Sequence, residues 1–445
     1  MSFKEFQPYP NYKDSGVEWL GKVPEHWDVK RLKYSATIND EALPETTDPA
    51  LELTYVDISS VDAIEGIVAN EEMIFENAPS RARRIIRDGD TIISTVRTYL
   101  RAIAPIRSPR LNTIVSTGFA VVRPRNVKPS FMSYALRESG FVEAIVTRSV
   151  GVSYPAINSS EIGNIPFELP PSDEQLSIVS FLDQETSRID TLISEKERLI
   201  SLLQEYRQAL ISHAVTKGLD PKVKMKDSGV EWLGKVPEHW EVKRLKHIAD
   251  VRLSNVDKHT VEGQKVVRLC NYLDVYNNRS ITSKIDFISA TASDEQIERL
   301  SLQKDDVIIT KDSEDPSDIG IPALVEEDIF GLVCGYHLAV LRPTAAIGEY
   351  LHYLFQSTFV RSAFEVEATG MTRYALGKYA IENLTLALPH QSEQTSIASF
   401  LDQETIKIDQ LIATAKNSIV LLQERRSALI SAAVTGKIDI RGYHV

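Results

Sequence analysis

The sequence predicts an α+β fold: two mixed α/β domains separated by two long antiparallel helices that pair as a coiled coil, built as a pseudo-twofold tandem repeat. Three observations predict it. KDSGVEWLGKVPEHWDVKRLK, starting at Lys13, returns 213 residues later at Lys226 with only Asp28/Glu241 changed. FLDQETSRIDTLI at Phe181 returns 219 residues later as FLDQETIKIDQLI at Phe400, and the likeness continues through LLQEYRQALISHAVT (from Leu202) and LLQERRSALISAAVT (from Leu421). After Pro171 no Pro or Gly interrupts the chain until beyond Val215, as a long helix requires.

Taken in order, the elements are a first domain over 1–170, a helix over 171–216, a second domain over 217–389, a helix over 390–436 and a tail over 437–445. In the first domain the stretches at 88–96 (DGDTIISTV) and 119–124 (FAVVRP) are strand-like, and FMSYALRESGFVEAIV from Phe131 has helical spacing. KDDVIITK, LAVLRP and YLHYLFQSTFVRSAF take the same places in the second. Each insert of about 140 residues is long enough for its own core. Ser172 or Asp173 can cap the first helix, with Glu174 in its first turn. Its apolar stripe runs Leu182, Ile189, Leu192, Leu199, Leu203, Tyr206 and Leu210, a heptad seam broken at Glu185 and Lys196. The second copy gives Leu401, Ile408, Leu411, Leu422 and Leu429, with Ala415 where the first has Lys196. About 40 residues make a rod about 60 Å long. Such a helix cannot bury its stripe alone, and pairing the two copies within one chain is the simplest solution, an intermolecular coiled coil the alternative.

Composition bounds the class. With 445 residues, 43% of them hydrophobic and 25% charged, the chain has the make-up of a globular protein of two or three domains. The start, MSFKEFQPYP, has no apolar segment of the kind a secretion signal needs, and no run of about 18 uncharged apolar residues occurs, which argues against membrane insertion. Cys270 and Cys334 are too few for a disulfide framework or a four-ligand zinc site. The reading is a cytoplasmic protein with reduced thiols, needing no metal and no cofactor.

A net charge of −12 at first argues against a nucleic-acid partner, but its distribution argues for one. From Glu41 to Glu76 all ten charged residues are acidic, Glu65 among them; from Arg81 to Lys128 eleven basic residues face only Asp88 and Asp90. Ten of the eleven are arginine, which suits phosphates and guanine edges. A solvated basic face is the other reading.

Between the repeated frames the two copies diverge sharply, as one scaffold carrying two specificities would. At this point the chain resembles the DNA-specificity subunit of type I restriction–modification systems, over nearly its whole length and in both copies. The resemblance rests on VPEHWDVKRLK and VPEHWEVKRLK at each domain start and on the strand pairs above. It rests also on the glycine-led segments GVSYPAINSSEIGNIPFELPPSDEQ (from Gly151) and GMTRYALGKYAIENLTLALPHQSEQ (from Gly370), which lead into the FLDQET blocks. It implies two target-recognition domains, each reading half of a bipartite double-stranded DNA site, with the helices setting the spacing. Two methyltransferase (M) subunits would dock on the helices, and restriction (R) subunits would join them.

No catalytic residues are expected. An Asn/Asp-Pro-Pro-aromatic motif for amino-methyl transfer is missing, as is a phosphate loop; TGK at Thr435 lacks the upstream glycine. Cys334 near His337 could suggest a nucleophile pair, but both lie in a predicted core strand. His26 and His239 belong to the repeated frame, where packing or capping is expected. Trp19, Trp27, Trp232 and Trp240, at matched positions, are read as core.

Candidate DNA contacts lie in two loops per domain: Arg97, Thr98, Tyr99 and Arg101 with Arg148, Ser149, Ser153 and Tyr154 in the first, and Lys311 with Thr372, Arg373, Tyr374 and Lys378 in the second. Arginine can address guanine O6/N7, hydroxyls can address phosphate, and Gly151 allows close approach. The loop after Lys311 carries Asp312, Glu314, Asp315 and Asp318, which weakens phosphate docking there, although a carboxylate can accept from a cytosine amine. Two rival classes are a repeat-built adaptor binding only proteins, against which the arginine cluster counts, and a single-chain DNA methyltransferase, against which the missing motifs count.

Overall fold

Two buried carboxylate–arginine forks sit at matching points of the two globules. In the first, Thr91–Ser94 pairs antiparallel with Phe119–Pro124; in the second, Val307–Thr310 pairs with Leu338–Pro343. Arg123 grips Asp90 through Nε at 3.0 Å and Nη2 at 2.9 Å, and Arg342 grips Asp306 through the same atoms at 2.8 and 2.7 Å. Both aspartates are buried, so a bidentate, charge-assisted pair holds the edge of each strand pair. The repeated Asp and the Arg of the VRP and LRP runs are the sequence signal for it.

The computed structural model describes residues 6–62 and 66–443; the opening MSFKE, Glu65 of the acidic run and the last two residues of the tail lie outside the described residues. The chain divides into two compact units, Met1–Lys196 with Asn417–Val445, and Glu197–Lys416. Each unit therefore takes a globule together with a piece of both long helices, rather than leaving the helices as separate segments.

The first unit carries two four-stranded sheets. One runs Ile103–Pro105, Thr91–Ser94, Phe119–Pro124, Ala36–Ile38; the other runs Glu71–Ile74, Glu52–Val56, Thr113–Ser116, Ala82–Ile85, with Glu52–Val56 and Thr113–Ser116 parallel. The second unit has a five-stranded sheet, Ala249–Leu253, Leu338–Pro343, Val307–Thr310, Pro322–Val325, Ser280–Ile281, and a three-stranded one, Ile288–Ala292, Lys265–Cys270, Leu332–Cys334. The predicted helical stretches form as helix pairs, Pro129–Leu136 with Ser139–Arg148 and Gly348–Gln356 with Thr358–Glu367.

The long helices run Ser172–Lys217 and Gln391–Val434. In the first unit Asp190 meets Arg426 at 2.8 Å while Glu185, earlier, accepts from Tyr443, later. In the second, Arg207 meets Asp409 at 3.1 Å while Gly218, later, abuts Glu393, earlier. Within each unit the helix pieces are antiparallel.

Repeated residues explain the repeated junctions. Gln175 and Gln394, both buried in the first turn of a long helix, accept from Lys128 N and Ile347 N and donate to Pro170 O and Pro389 O. They fix the angle at which each helix leaves its globule. The FLDQET aspartates accept a tyrosine hydroxyl in both copies, Tyr134 on Asp183 at 2.7 Å and Tyr353 on Asp402 at 2.6 Å. His26 lies 2.5 Å from Glu174 and His239 2.8 Å from Glu393, tying the repeated frame to the helix starts. Lys437 of the TGK run donates to Leu20 O and Lys22 O, and its counterpart Lys217 does the same to Leu233 O and Lys235 O.

Three expectations need correction. The apolar seam is not buried along its length. Leu182, Ile189, Leu401, Ile408 and Leu429 are buried, Leu203, Leu210 and Leu422 are half-buried, but Leu192, Leu199 and Leu411 are 38%, 45% and 56% exposed. The helix turns near each globule are covered by its core (Ile178 and Phe181 in the first unit, Ile211 and Val215 in the second), whereas Leu192, Leu199 and Leu411 lie outside those core clusters. The tail is not separate, since Ile438 and Ile440 are buried in the first unit's core. Of the tryptophans only Trp27 and Trp240 are fully buried; Trp19 is half-buried, and Trp232 is exposed and stacks on Phe359.

Candidate nucleic-acid interface

In both units the two loops singled out in the sequence come together at the same place. Val96, just after Thr91–Ser94, bridges Ala156, and Ile157 N donates to Thr95 O. Asp312, just after Val307–Thr310, pairs with Ala375, and Leu376 N donates to Lys311 O. The strand thus carries one loop and clamps the end of the other.

In the first unit Arg97 and Arg101 hold φ of 51° and 52°, flanking the short turn Thr98–Leu100. Left-handed backbone at a residue other than glycine costs on the order of 1 kcal/mol, and such positions concentrate where a side chain must be aimed. Here it turns Arg97, Tyr99 and Arg101 outward, all exposed. Thr98 points in, and its hydroxyl donates to Ser149 at 2.7 Å, so these two candidates join the loops instead of offering free donors. Arg97 stacks on Tyr154, Arg101 reaches Glu143 at 3.1 Å, and Arg148 donates to Ala144 O. Ser153 and Tyr154 are exposed at the tip, beside the bare side chains of Val150 and Val152.

The tip is a glycine turn in both units. Gly151 has φ of 124° and a Cβ there would lie 3.1 Å from Tyr154 O; Gly370 has φ of 148°, with Arg373 O only 1.9 Å from such a Cβ. Only glycine fits either.

In the second unit Lys311 is half-buried, Thr372, Arg373 and Lys378 are exposed, and Tyr374 is half-buried. Lys378 pairs with Glu382 at 3.4 Å. The acidic loop is used internally: Asp315 caps the turn Pro316–Asp318, and Asp318 accepts from Tyr276. Asp312 is buried and cannot accept from a base; it faces Lys311, His337 and Arg373. His337 is thereby engaged away from Cys334, which like Cys270 is buried, and burial pushes both thiols up, away from the thiolate a nucleophile needs.

The charge asymmetry is partly cancelled by folding, five of the eleven basic residues pairing with carboxylates, which the sequence reading missed. Arg81 pairs with Asp57 at 2.6 Å, Arg110 with Glu72 at 2.6 Å, Arg87 with Glu41, and Arg123 with Asp40 at 2.9 Å and with Asp90. The acidic and basic blocks are adjacent strands and edges of one globule. Among the described residues Arg83, Arg84, Arg97, Arg107, Arg125 and Lys128 of that block, and Arg148 beyond it, form no ion pair with a carboxylate. Also among the described residues, no helix is long and apolar enough to cross a membrane.

Comparison with known proteins agrees with this architecture. The family model of the type I restriction modification DNA specificity domain matches twice, over residues 24–201 and 237–420. The specificity subunit of the type I restriction enzyme MjaVIII from Methanocaldococcus jannaschii is 22% identical over 94% of this chain and 95% of its own length. Among solved structures, a chain of a type I R-M system described for its assembly and conformational transition aligns with a TM-score of 0.74, 23% identity, and coverage of 94% of this chain and 99% of that one. The HsdS subunit of Thermoanaerobacter tengcongensis aligns with a TM-score of 0.55 at 23% identity, covering 94% and 98% of the two chains. Two matched domains, each built on the same frame around unlike loops, make this chain a member of the type I restriction–modification DNA specificity family.

Proposed function

We propose that the chain acts as the sequence-reading subunit of a type I restriction–modification complex, each globule reading one half of a bipartite double-stranded DNA target and the helices setting the spacing and docking two methyltransferase subunits. Restriction subunits join that assembly. The chain supplies choice of sequence and no chemistry.

The observation that supports this best is the pairing of unlike loops on a like frame. The Val96–Ala156 bridge and the Asp312–Ala375 pair occupy equivalent positions. Around them one unit offers Arg97, Tyr99, Arg148, Ser153 and Tyr154, the other Arg373, Thr372, Lys378 and Lys311. A surface for one common ligand would keep its contact residues in both copies; here the frame is kept and the contact residues change. Proposed domain limits are 1–170 and 217–389 for the readers and 171–216 and 390–436 for the helices, with 437–445 a tail whose Ile438 and Ile440 belong to the first reader's core. The test is methylome sequencing of cells with and without the chain. Loss of one bipartite motif on deletion is expected; an unchanged methylome contradicts the role.

A further inference from the structure

Asp312 differs from every other acidic residue of the second unit's loop, because it is buried and a lysine, an arginine and a histidine converge on it. Its Oδ1 lies 2.6 Å from His337 Nδ1 and 3.2 Å from Arg373 Nε, and its Oδ2 lies 3.2 Å from Lys311 Nζ. The three come from different segments: Lys311 precedes it, His337 lies in the turn before Leu338–Pro343, and Arg373 sits in the glycine-led turn. Exposure rises outward, from 8% for the Asp312 side chain through 14% for Lys311 and 33% for His337 to 50% for Arg373.

The fold does not require a carboxylate here. The matching position in the first unit is Val96, which makes the equivalent backbone bridge. A buried charge is costly to desolvate, and the strand pairing is satisfied by valine. What the carboxylate adds is orientation. With Asp312 ion-paired on its Nε side, Arg373 has neither terminal nitrogen on a carboxylate among the described residues, which leaves the fork that donates to guanine O6 and N7. Held by Nδ1, His337 keeps Nε2 free. Lys311 is drawn back instead, its Nζ 4.7 Å from the Tyr336 ring centroid.

We propose that Asp312 is a positioning residue that aims Arg373 at a guanine of the half-site read by the second unit; this rests on the reading of the two units as DNA readers. The first unit solves the same problem differently, stacking Arg97 on Tyr154.

The test uses the full chain assembled with methyltransferase subunits, with the methylated motif as readout. Asp312→Asn, Asp312→Val and Arg373→Ala are compared. Asp312→Val installs the residue that makes the same backbone bridge in the first unit, and thermal melting identifies which of the variants are folded. All three are expected to relax the same position of one half-site, with discrimination there falling roughly tenfold, while the other half-site stays unchanged. A general structural defect would lower methylation at both halves together and would overturn the proposal. So would folded Asp312 variants that keep every position while Arg373→Ala relaxes one, a result that leaves the reading of the loop intact. If Arg373→Ala also changes nothing, the proposal falls together with the assignment of that loop.

Discussion

The guanidinium carbon of Arg97 lies 4.9 Å from the centroid of the Tyr154 ring, so an arginine on one loop is carried by an aromatic on the other. This ties the exposed end of the first unit's strand loop to the tip of its glycine-led turn, and makes the two loops one surface. Arg97→Ala is expected to cost about 1–3 kcal/mol of binding and to relax one position of one half-site. Tyr154→Ala should relax the same position less, since an exposed cation–π contact is worth about 0.5–1 kcal/mol. Different positions for the two variants would mean that the stack does not orient the arginine.

Arg148 and Arg110 should behave differently in salt. Arg110 is already neutralised by Glu72, an exposed pair 2.6 Å apart, worth about 0–1 kcal/mol. Arg110→Ala should leave the salt dependence of DNA binding unchanged. Arg148 has no carboxylate partner among the described residues, and Arg148→Ala should lower the slope of log K against log salt by about 1 if it meets a phosphate. Titrations of the assembled methyltransferase at several salt concentrations measure both.

That contrast marks where the sequence was legible. Repeat arithmetic made both globules and both long helices legible, because a long helix and a duplicated frame are written locally. The charge blocks misled because pairing is decided by strand order, which places Arg81 against Asp57 and Arg87 against Glu41 only after folding. The exposure of Leu192, Leu199 and Leu411 was equally invisible, since periodicity marks a face and does not say what covers it. Asp312 reads in the sequence as an acidic departure, but two of its three partners come from segments 25 and 61 residues away, at His337 and Arg373.

Identical frames also hide unequal networks. Glu174 accepts from Trp27 Nε1 at 2.9 Å, Tyr9 at 3.0 Å and His26 at 2.5 Å. In the second unit Glu393 meets His239, and Trp240 Nε1 is buried with no partner. Glu174→Ala should therefore destabilise more than Glu393→Ala, by about 1–3 kcal/mol for each buried donor left unpaired. Denaturant unfolding of the two variants checks the order.

Glu168 is buried where the second copy carries Ala387, and one of its oxygens has no partner. Burial, with Glu138 nearby, raises its pKa well above the ordinary carboxylate value. A carboxyl whose folded pKa is raised loses stability as pH rises from the unfolded value through the folded one. Glu168→Gln should then stabilise the chain at neutral and alkaline pH, with the gain shrinking as pH falls to the ordinary carboxylate range. Melting curves of both proteins across pH test it; a gain that grows on acidification has the wrong sign.

The helices supply a length test. Inserting seven residues after Arg198 and seven at the matching point after Asn417 keeps the apolar face in phase and adds about 10 Å of helix. The nonspecific spacer of the methylated motif should grow by about three base pairs, at 3.4 Å each, with both half-sites unchanged. A folded, active insertion variant that methylates the original spacing would contradict the role given to the helices.

The central claim, that each globule independently reads half of the target, is tested most directly by exchanging residues 34–169 for the corresponding insert of another family member. The methylated motif is then sequenced. The account predicts that one half of the bipartite motif changes to that of the donor while the other half is retained. A motif that changes in both halves, or in neither, from a folded and active complex contradicts it.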